Sequence, residues 1–176
     1  MGIILIALVL PAMGAAVAPV AAQSSLSAGM GVHFFQYDTT YLTVMNATYL
    51  HELTRGLELN IGGEFAIHTY DDEGSTEARF LIPANVGLNF SFPRHPATFV
   101  FGTGLTPVFA INPDDDRDFR FFMGPYAKAE VRLRVHPIMS WFVSAQQDLL
   151  VGGDDWISTG TRLATGINFS FEPYTP

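Results

Sequence analysis

Three aspartates at alternate positions, Asp114, Asp116 and Asp118, form the most suggestive chemical pattern in the chain, because the first three ligands of a calcium-binding loop have this spacing. Such a loop also requires a glycine at its sixth position and a bidentate glutamate at its twelfth. Phe119 and Pro125 occupy those positions here. We therefore predict an acidic, solvated loop and no metal site, with a specific calcium site as the less favoured alternative.

The histidines offer a second kind of chemistry. A serine hydrolase needs a nucleophilic serine beside a histidine that a carboxylate orients. Thr69 and Tyr70 follow His68, and the nearest serine, Ser75, lies in a predicted loop. We therefore predict no catalytic residues and no enzyme activity, and we expect His33 to form hydrogen bonds inside the fold instead of binding a ligand.

The composition excludes several further classes of protein. The 176 residues include no cysteine, which removes disulfides, thiolate metal sites and cysteine catalysis. The formal net charge of −8 argues against nucleic acid as a partner. No cofactor is predicted, and the length suits one folded domain.

The first residues predict an export signal. Residues 1–25 carry no charge, and the segment from Ile3 to Val20 is almost wholly apolar. Small residues at Val20 and Ala22 favour cleavage before Gln23. The sequence therefore predicts a signal peptide over residues 1–22 and a mature domain over residues 23–176, with a transmembrane anchor as the alternative.

Alternation of apolar and polar residues dominates the rest of the chain and predicts β-strands with two different faces. Eight such segments cover roughly residues 26–37, 40–51, 57–70, 79–92, 97–111, 119–135, 140–151 and 157–171. Compact connections alternate with acidic ones, so neighbouring strands are expected to pair antiparallel. The second segment is the least regular, because Leu42 and Val44 share a parity with Asn46 and Thr48.

Glycines and aromatic residues indicate which face is inside. Nine of the ten glycines in the predicted strands share the polar parity, as expected if that parity lines a crowded lumen. Aromatic residues of the apolar parity gather near both strand ends, with aliphatic residues between them, which is typical of a lipid-facing wall. The fold class predicted is all-β: an eight-stranded antiparallel up-and-down transmembrane barrel. A soluble lipocalin-like barrel, with its apolar parity inside, is the alternative.

Four charged residues on the polar parity are predicted to meet inside this lumen. Counted from the compact connections, Lys128, Asp148 and Arg162 lie at similar heights on three neighbouring strands, and Glu64 faces them from across the barrel. Buried charges persist only when they are paired. We therefore expect Lys128 and Arg162 to flank Asp148 and to close the lumen. A water-filled path that uses fixed charges for ion selectivity is the alternative.

The last strand ends in the hexapeptide from Gly166 to Phe171, with aromatic residues three and five positions after the glycine. This resembles the C-terminal assembly signal of bacterial outer-membrane barrels, and the whole chain resembles the small eight-stranded proteins of the OmpA, OmpX and OmpW type. The resemblance implies insertion by the barrel assembly machinery, with Gly166, Phe169 and Phe171 as the signal. The chain departs from that pattern in two places, since residues 172–176 follow the last aromatic and Ala164 stands where a polar residue is common.

Together these observations predict a small non-enzymatic outer-membrane protein of a Gram-negative cell envelope. It is expected to pass through the periplasm, to contact outer-membrane lipid and lipopolysaccharide or its equivalent, and to be a monomer. Eleven of the seventeen carboxylates belong to one end of the barrel, so weak cation binding is expected at these acidic loops. Envelope integrity, adhesion and carriage of a small apolar solute stay open as roles. The alternatives are a lipid A-modifying enzyme on the same barrel and a soluble periplasmic lipocalin-like binding protein.

Overall fold

The computed structural model describes residues 23–36, 40–72, 75–111, 119–152 and 157–171. They form eight strands: β1 (Ser24–Phe35), β2 (Thr40–Thr54), β3 (Leu57–Asp72), β4 (Ser75–Arg94), β5 (Ala97–Ile111), β6 (Phe119–His136), β7 (Met139–Gly152) and β8 (Ile157–Ser170). The predicted signal peptide and the aspartates at positions 114, 116 and 118 lie outside the described residues. All eight predicted strands are confirmed. The largest difference is at β4, which begins at Ser75 because its pairing with β3 continues to the Asp72–Ser75 pair.

The eight strands form one closed antiparallel barrel in chain order. Closure comes from the first and last strands, which pair from Ser25 opposite Ser170 to Phe35 opposite Gly160. Each strand therefore has a partner on both sides, and no edge of the described sheet is left open to another chain. Among the residues described, no helix has the length and apolar character needed to span a membrane.

The two ends of the barrel differ in their connections. At one end, here called the turn end, two-residue turns join the strands: Arg55-Gly56, His95-Pro96 and Pro137-Ile138. Gly56 has a φ of 80°, a left-handed conformation that glycine adopts without steric cost. At the other end, here called the loop end, the connections contain residues 37–39, 73–74, 112–118 and 153–156, which the structure does not describe.

The outer wall of the barrel is apolar. Met30, Met45 and Leu105 are among its exposed side chains, with aromatic residues such as Trp141 and Phe169 nearer the turn end and Phe119 nearer the loop end. Large apolar side chains left in water are unfavourable, whereas the same surface matches the hydrocarbon of a bilayer. The wall therefore contradicts the lipocalin-like alternative, which requires the apolar parity inside.

Inward-facing glycines leave room for the side chains that fill the lumen. A Cβ added at Gly160 would lie 2.7 Å from Nε2 of His33, and one added at Gly29 would lie 2.9 Å from Cζ of Phe142. Gly63, the glycine of opposite parity, would present its Cβ to open space, with no described heavy atom within 4 Å. Crowding thus explains why glycine follows the polar parity of these strands.

Candidate functional site

Inward-facing side chains fill the described lumen, and a layer of buried apolar side chains lies in its loop-side part. We call this layer the apolar cap; it consists of Phe35, Leu42, Val44, Ala66, Leu81, Val108, Phe122 and Leu150. The rings of Phe35 and Phe122 meet edge to face, with their centroids 5.3 Å apart. The cap also explains the irregular second segment, since Leu42 and Val44 face inward on the same parity as the polar residues nearer the turn end.

The middle layer is built around the carboxylate of Asp148, which is fully buried. Arg162 donates to both of its oxygens, from Nε to Oδ2 at 2.9 Å and from Nη2 to Oδ1 at 2.6 Å. Gln146 Nε2 donates to Oδ1 at 2.9 Å, and the Thr106 hydroxyl lies 3.1 Å from the same oxygen. The buried negative charge is thus both paired and hydrogen-bonded, as its burial requires.

The same guanidinium extends the layer across the lumen. Arg162 Nη1 lies 2.7 Å from Oε1 of Glu64, and Asn85 Nδ2 donates to that oxygen at 3.2 Å. Oδ1 of Asn85 in turn accepts from Arg162 Nη2 at 3.1 Å. We call this layer the central network; its members, on β3, β4, β5, β7 and β8, are Glu64, Asn85, Thr106, Gln146, Asp148 and Arg162. The structure therefore brings together three of the four charged residues selected from the sequence.

Lys128 lies elsewhere, and its predicted position beside Asp148 is wrong. Its ammonium group is 3.2 Å from Oε2 of Glu130. In the β6–β7 register Lys128 faces Gln146, whereas Asp148 faces Tyr126. Register alone does not separate the two cations, because Arg162 also pairs with Gln146. The ammonium group of Lys128 has its carboxylate partner on its own strand, at Glu130, instead of on β7.

The layer nearest the turn end is a second group of charges that sequence reasoning missed. Arg132 pairs with both oxygens of Glu58, at 2.9 and 3.0 Å, and its Nε lies 2.5 Å from Oε1 of Glu130. Because Glu58 is on β3 and Arg132 on β6, this pairing also crosses the lumen. The sequence did carry a signal, since Glu130 and Arg132 follow Lys128 on the inward parity. We call Glu58, Lys128, Glu130 and Arg132 the ion cluster.

A cavity of about 40 Å³ lies between the central network and the ion cluster. Its lining includes Asn46, Asn60, Glu64, Lys128 and Arg162. Sites for organic ligands have volumes of about 300–1,000 Å³, so this cavity has room for a few water molecules and none for an apolar solute.

The two histidines considered from the sequence lie in different surroundings. His33 is fully buried, 5.9 Å from the ring of Phe35, and neither of its ring nitrogens has a hydrogen-bond partner in the described lumen. The prediction that His33 forms hydrogen bonds there is wrong. His68 Nδ1 lies 2.9 Å from the backbone oxygen of Tyr41. No group of three or more metal-ligating side chains occurs within the described ranges.

A serine and a histidine do meet on the rim of the turn end, a contact that sequence reasoning also missed. The hydroxyl of Ser24 lies 2.9 Å from Nδ1 of His51 and 2.9 Å from the hydroxyl of Tyr49. The third member of this group is a phenol, whereas a catalytic triad uses a carboxylate to orient the histidine. The arrangement therefore lacks the geometry of a serine hydrolase.

The predicted assembly signal lies on the last strand, next to the closing seam. Phe169 and Phe171 are 44% and 64% exposed on the outer wall. The backbone N–H of Phe171 donates to Ser24 O at 2.9 Å. A Cβ added at Gly166 would collide with the backbone of Ala28 and Gly29. The two aromatic side chains are thus accessible from the lipid side, and their role in assembly stays a prediction.

No protein-family model and no curated protein matches the sequence. Solved structures do match the fold. Neisserial surface protein A (NspA) aligns over 85% of this chain and 97% of its own, with a TM-score of 0.69 and 11% identity. A major outer membrane protein from Thermus thermophilus aligns over 86% and 100%, with a TM-score of 0.62 and 14% identity. Ail, the attachment invasion locus protein of Yersinia pestis, solved with the heparin analogue sucrose octasulfate, aligns over 84% and 99%, with a TM-score of 0.55 and 15% identity. The chain therefore has the fold of small eight-stranded outer-membrane barrels, as the resemblance predicted.

Proposed function

We propose that this chain is a non-enzymatic outer-membrane protein whose closed barrel anchors it in lipid and presents its loop end for adhesion or envelope integrity. The main support is the distribution of side chains, with charges buried in the lumen and large apolar residues exposed on the wall. That arrangement is stable only when the hydrocarbon of a lipid bilayer surrounds the barrel. The outer-membrane proteins with the same fold support the same location.

The filling of the lumen supports an anchor over a porin or a solute carrier. The cap closes the lumen with apolar side chains, and the two charged layers below it are paired across the barrel. An eight-stranded barrel is just wide enough for its interior to be filled in this way. The cavity of about 40 Å³ is too small for carriage of an apolar solute inside the lumen.

The absence of enzyme activity is part of the proposal. Its support is that His68 contacts a backbone carbonyl and that the Ser24–His51 pair has a tyrosine as its third member. A lipid A-modifying enzyme would need a histidine oriented for proton transfer to or from a nucleophile. An assay for release of fatty acid from lipid A, with the purified barrel in detergent micelles, is expected to show no turnover.

Cell fractionation tests the proposed location. After expression with residues 1–22 in a Gram-negative host, the protein is expected in the outer-membrane fraction and should migrate differently in detergent gels before and after heating. Recovery in the soluble periplasmic fraction would contradict the proposal.

The assembly signal has a matched control within the chain. Gly87 to Phe92 repeats the hexapeptide of β8 almost unchanged, in the interior strand β4. Replacing Phe169 and Phe171 with alanine is expected to lower the folded fraction delivered by the assembly machinery. The same change at Phe90 and Phe92 should leave delivery intact. Equal losses from the two double variants would argue against a role for the C-terminal signal.

Weak cation binding at the acidic loops is also part of the proposal. Asp114, Asp115 and Asp116 carry much of the expected negative potential, which salt screens within about 8 Å at physiological ionic strength. Changing all three to asparagine should reduce binding of a polycationic probe to intact cells at low salt. Unchanged binding would remove the support for an acidic outer rim.

A further inference from the structure

The outer wall contains a groove of about 460 Å³ that crosses five neighbouring strands, from β5 through β8 to β1. Ala129 and Ala145, which pair across β6 and β7, form its floor. Phe101 and Leu163 rise on either side of them. Small side chains between large ones thus make the wall concave here, with a volume in the range of about 300–1,000 Å³ that is typical of small-molecule sites.

A basic patch lies at the turn end of this groove. Phe99, which lines the groove, pairs with Val131, and the next outward-facing pair towards the turn end is Ala97–Leu133. Arg94 pairs with Ala97, so it lies beside the end of the groove that is nearest the turn end of the barrel. We call Arg94, His95 and His136, all of them exposed, the basic turn patch.

A hydrogen bond joins the two turns that carry this patch. The backbone N–H of Arg134 donates to the carbonyl of Pro96 at 3.0 Å, which ties the β4–β5 turn to the end of β6. The patch therefore combines residues from two parts of the chain that are distant in sequence and are joined at this end of the barrel. Most of the chain's acidic residues belong to the opposite, loop end.

We propose that the groove and the basic turn patch together bind one phospholipid with an anionic headgroup. The acyl chain occupies the groove, and the phosphate accepts hydrogen bonds from the patch. The inference rests on the proposed membrane location, with the turn end at the periplasmic face. A second copy of the chain on this face is the other occupant that the experiment below distinguishes.

Native mass spectrometry of the folded barrel, released from detergent micelles containing phosphatidylglycerol or phosphatidylcholine, tests the proposal. The wild-type barrel is expected to retain one phosphatidylglycerol molecule and to prefer it over phosphatidylcholine. Each cationic contact near an anionic lipid contributes about 1 kcal/mol, so Arg94→Gln should weaken retention of phosphatidylglycerol about fivefold. Arg55→Gln, at the β2–β3 turn, is the matched control and should have no effect on retention.

Filling the groove gives an independent test. The double variant Ala129→Leu/Ala145→Leu should lose retention of both lipids, because the added side chains occupy the space of the acyl chain. Ala47→Leu, at an exposed outward position on β2 that does not line the groove, should retain phosphatidylglycerol as the wild type does.

Three results would overturn the lipid site: equal retention of the two lipids by the wild type, unchanged retention after the groove is filled, or dimers of the barrel in place of lipid adducts. Heat-dependent migration of the same samples separates this from the proposed function. A barrel that folds and inserts without lipid preference contradicts the site alone. A chain that forms no heat-modifiable barrel contradicts both.

Discussion

The apolar cap lies in the loop-side part of the described lumen, whereas the central network and the ion cluster carry the buried charges of the part nearer the turn end. Both are expected to keep ions out of the barrel interior, but they depend on different physics. The cap depends on shape, since its side chains contribute by close packing. The charged layers depend on complementarity, because each buried charge is stable only while its partner is present.

A defect is therefore expected to have a different consequence in each part of the lumen. Truncating a residue of the cap leaves a cavity whose lining can partly relax. Truncating one member of the central network leaves its partner with a buried charge that has lost an ionic contact, and small shifts of the neighbouring side chains cannot replace that contact. The neighbouring outward-facing residues provide controls, because they lie on the same strands but their side chains point to the outer wall of the barrel.

The largest effect is expected from Asp148→Ala. Arg162 loses both hydrogen bonds to the buried carboxylate and keeps Glu64 as its ionic partner. Breaking a buried pair in this way costs about 3–5 kcal/mol of unfolding free energy, measurable by urea unfolding in lipid vesicles. Arg162 is the one cation that loses a partner, because Lys128 pairs with Glu130 and not with Asp148. Gln147→Ala, at the next and outward-facing position, removes a hydrogen bond to Thr161 and should cost about 1 kcal/mol, clearly less than Asp148→Ala. A wild-type midpoint for Asp148→Ala would contradict the network.

Leu150→Ala tests the cap, with Leu149→Ala as the outward-facing control. Leu150 is fully buried, whereas Leu149 is 47% exposed on the wall. A cavity left by a buried leucine costs about 3 kcal/mol. Lipid fills the space left at Leu149, so its loss should be clearly smaller. Equal losses of unfolding free energy at the two positions would show that the cap is not packed as described.

Gly160→Ala tests the packing between the apolar cap and the central network. The new methyl group would lie 2.7 Å from His33 Nε2 and 3.3 Å from Asp148 Oδ2, and both side chains are fully buried. Overpacking of this kind costs about 2 kcal/mol. Gly63→Ala places the same methyl group outside the lumen and should cost little in the same unfolding assay. If Gly63→Ala is the more damaging variant, the assignment of the two faces is wrong.

The smallest effect is a coupling energy between the two charged layers. Lys128 and Asp148 share no partner in the described lumen, so the effects of Lys128→Met and Asp148→Ala should add within about 0.5 kcal/mol. An equivalent cycle between Asp148 and Arg162 should instead show strong coupling, because the two side chains are hydrogen-bonded directly. Strong coupling between Lys128 and Asp148 would restore the arrangement first predicted from the sequence.

The sequence predicted the strands and their faces well, because alternation reports directly which parity each residue occupies. It also predicted that Arg162 and Asp148 meet, since both lie inward on adjacent strands at nearly the same height. The partner of Lys128 could not be predicted, because two carboxylates, Glu130 and Asp148, lie near its strand position and alternation alone does not select between them. The apolar cap could not be predicted either. Leu42 and Val44 depart from the alternation of their strand, and their packing with Phe122 and Leu150 depends on how the strands assemble into the barrel.

Single-channel recording in planar bilayers measures whether the described lumen of the folded barrel is closed to ions. The wild-type protein, with insertion verified by protection of its membrane-embedded strands from protease, is expected to give no stable conductance steps across the voltage range that the bilayer tolerates. Reproducible open-channel steps from the wild-type barrel would show that ions pass the cap, the central network and the ion cluster, and would contradict the account.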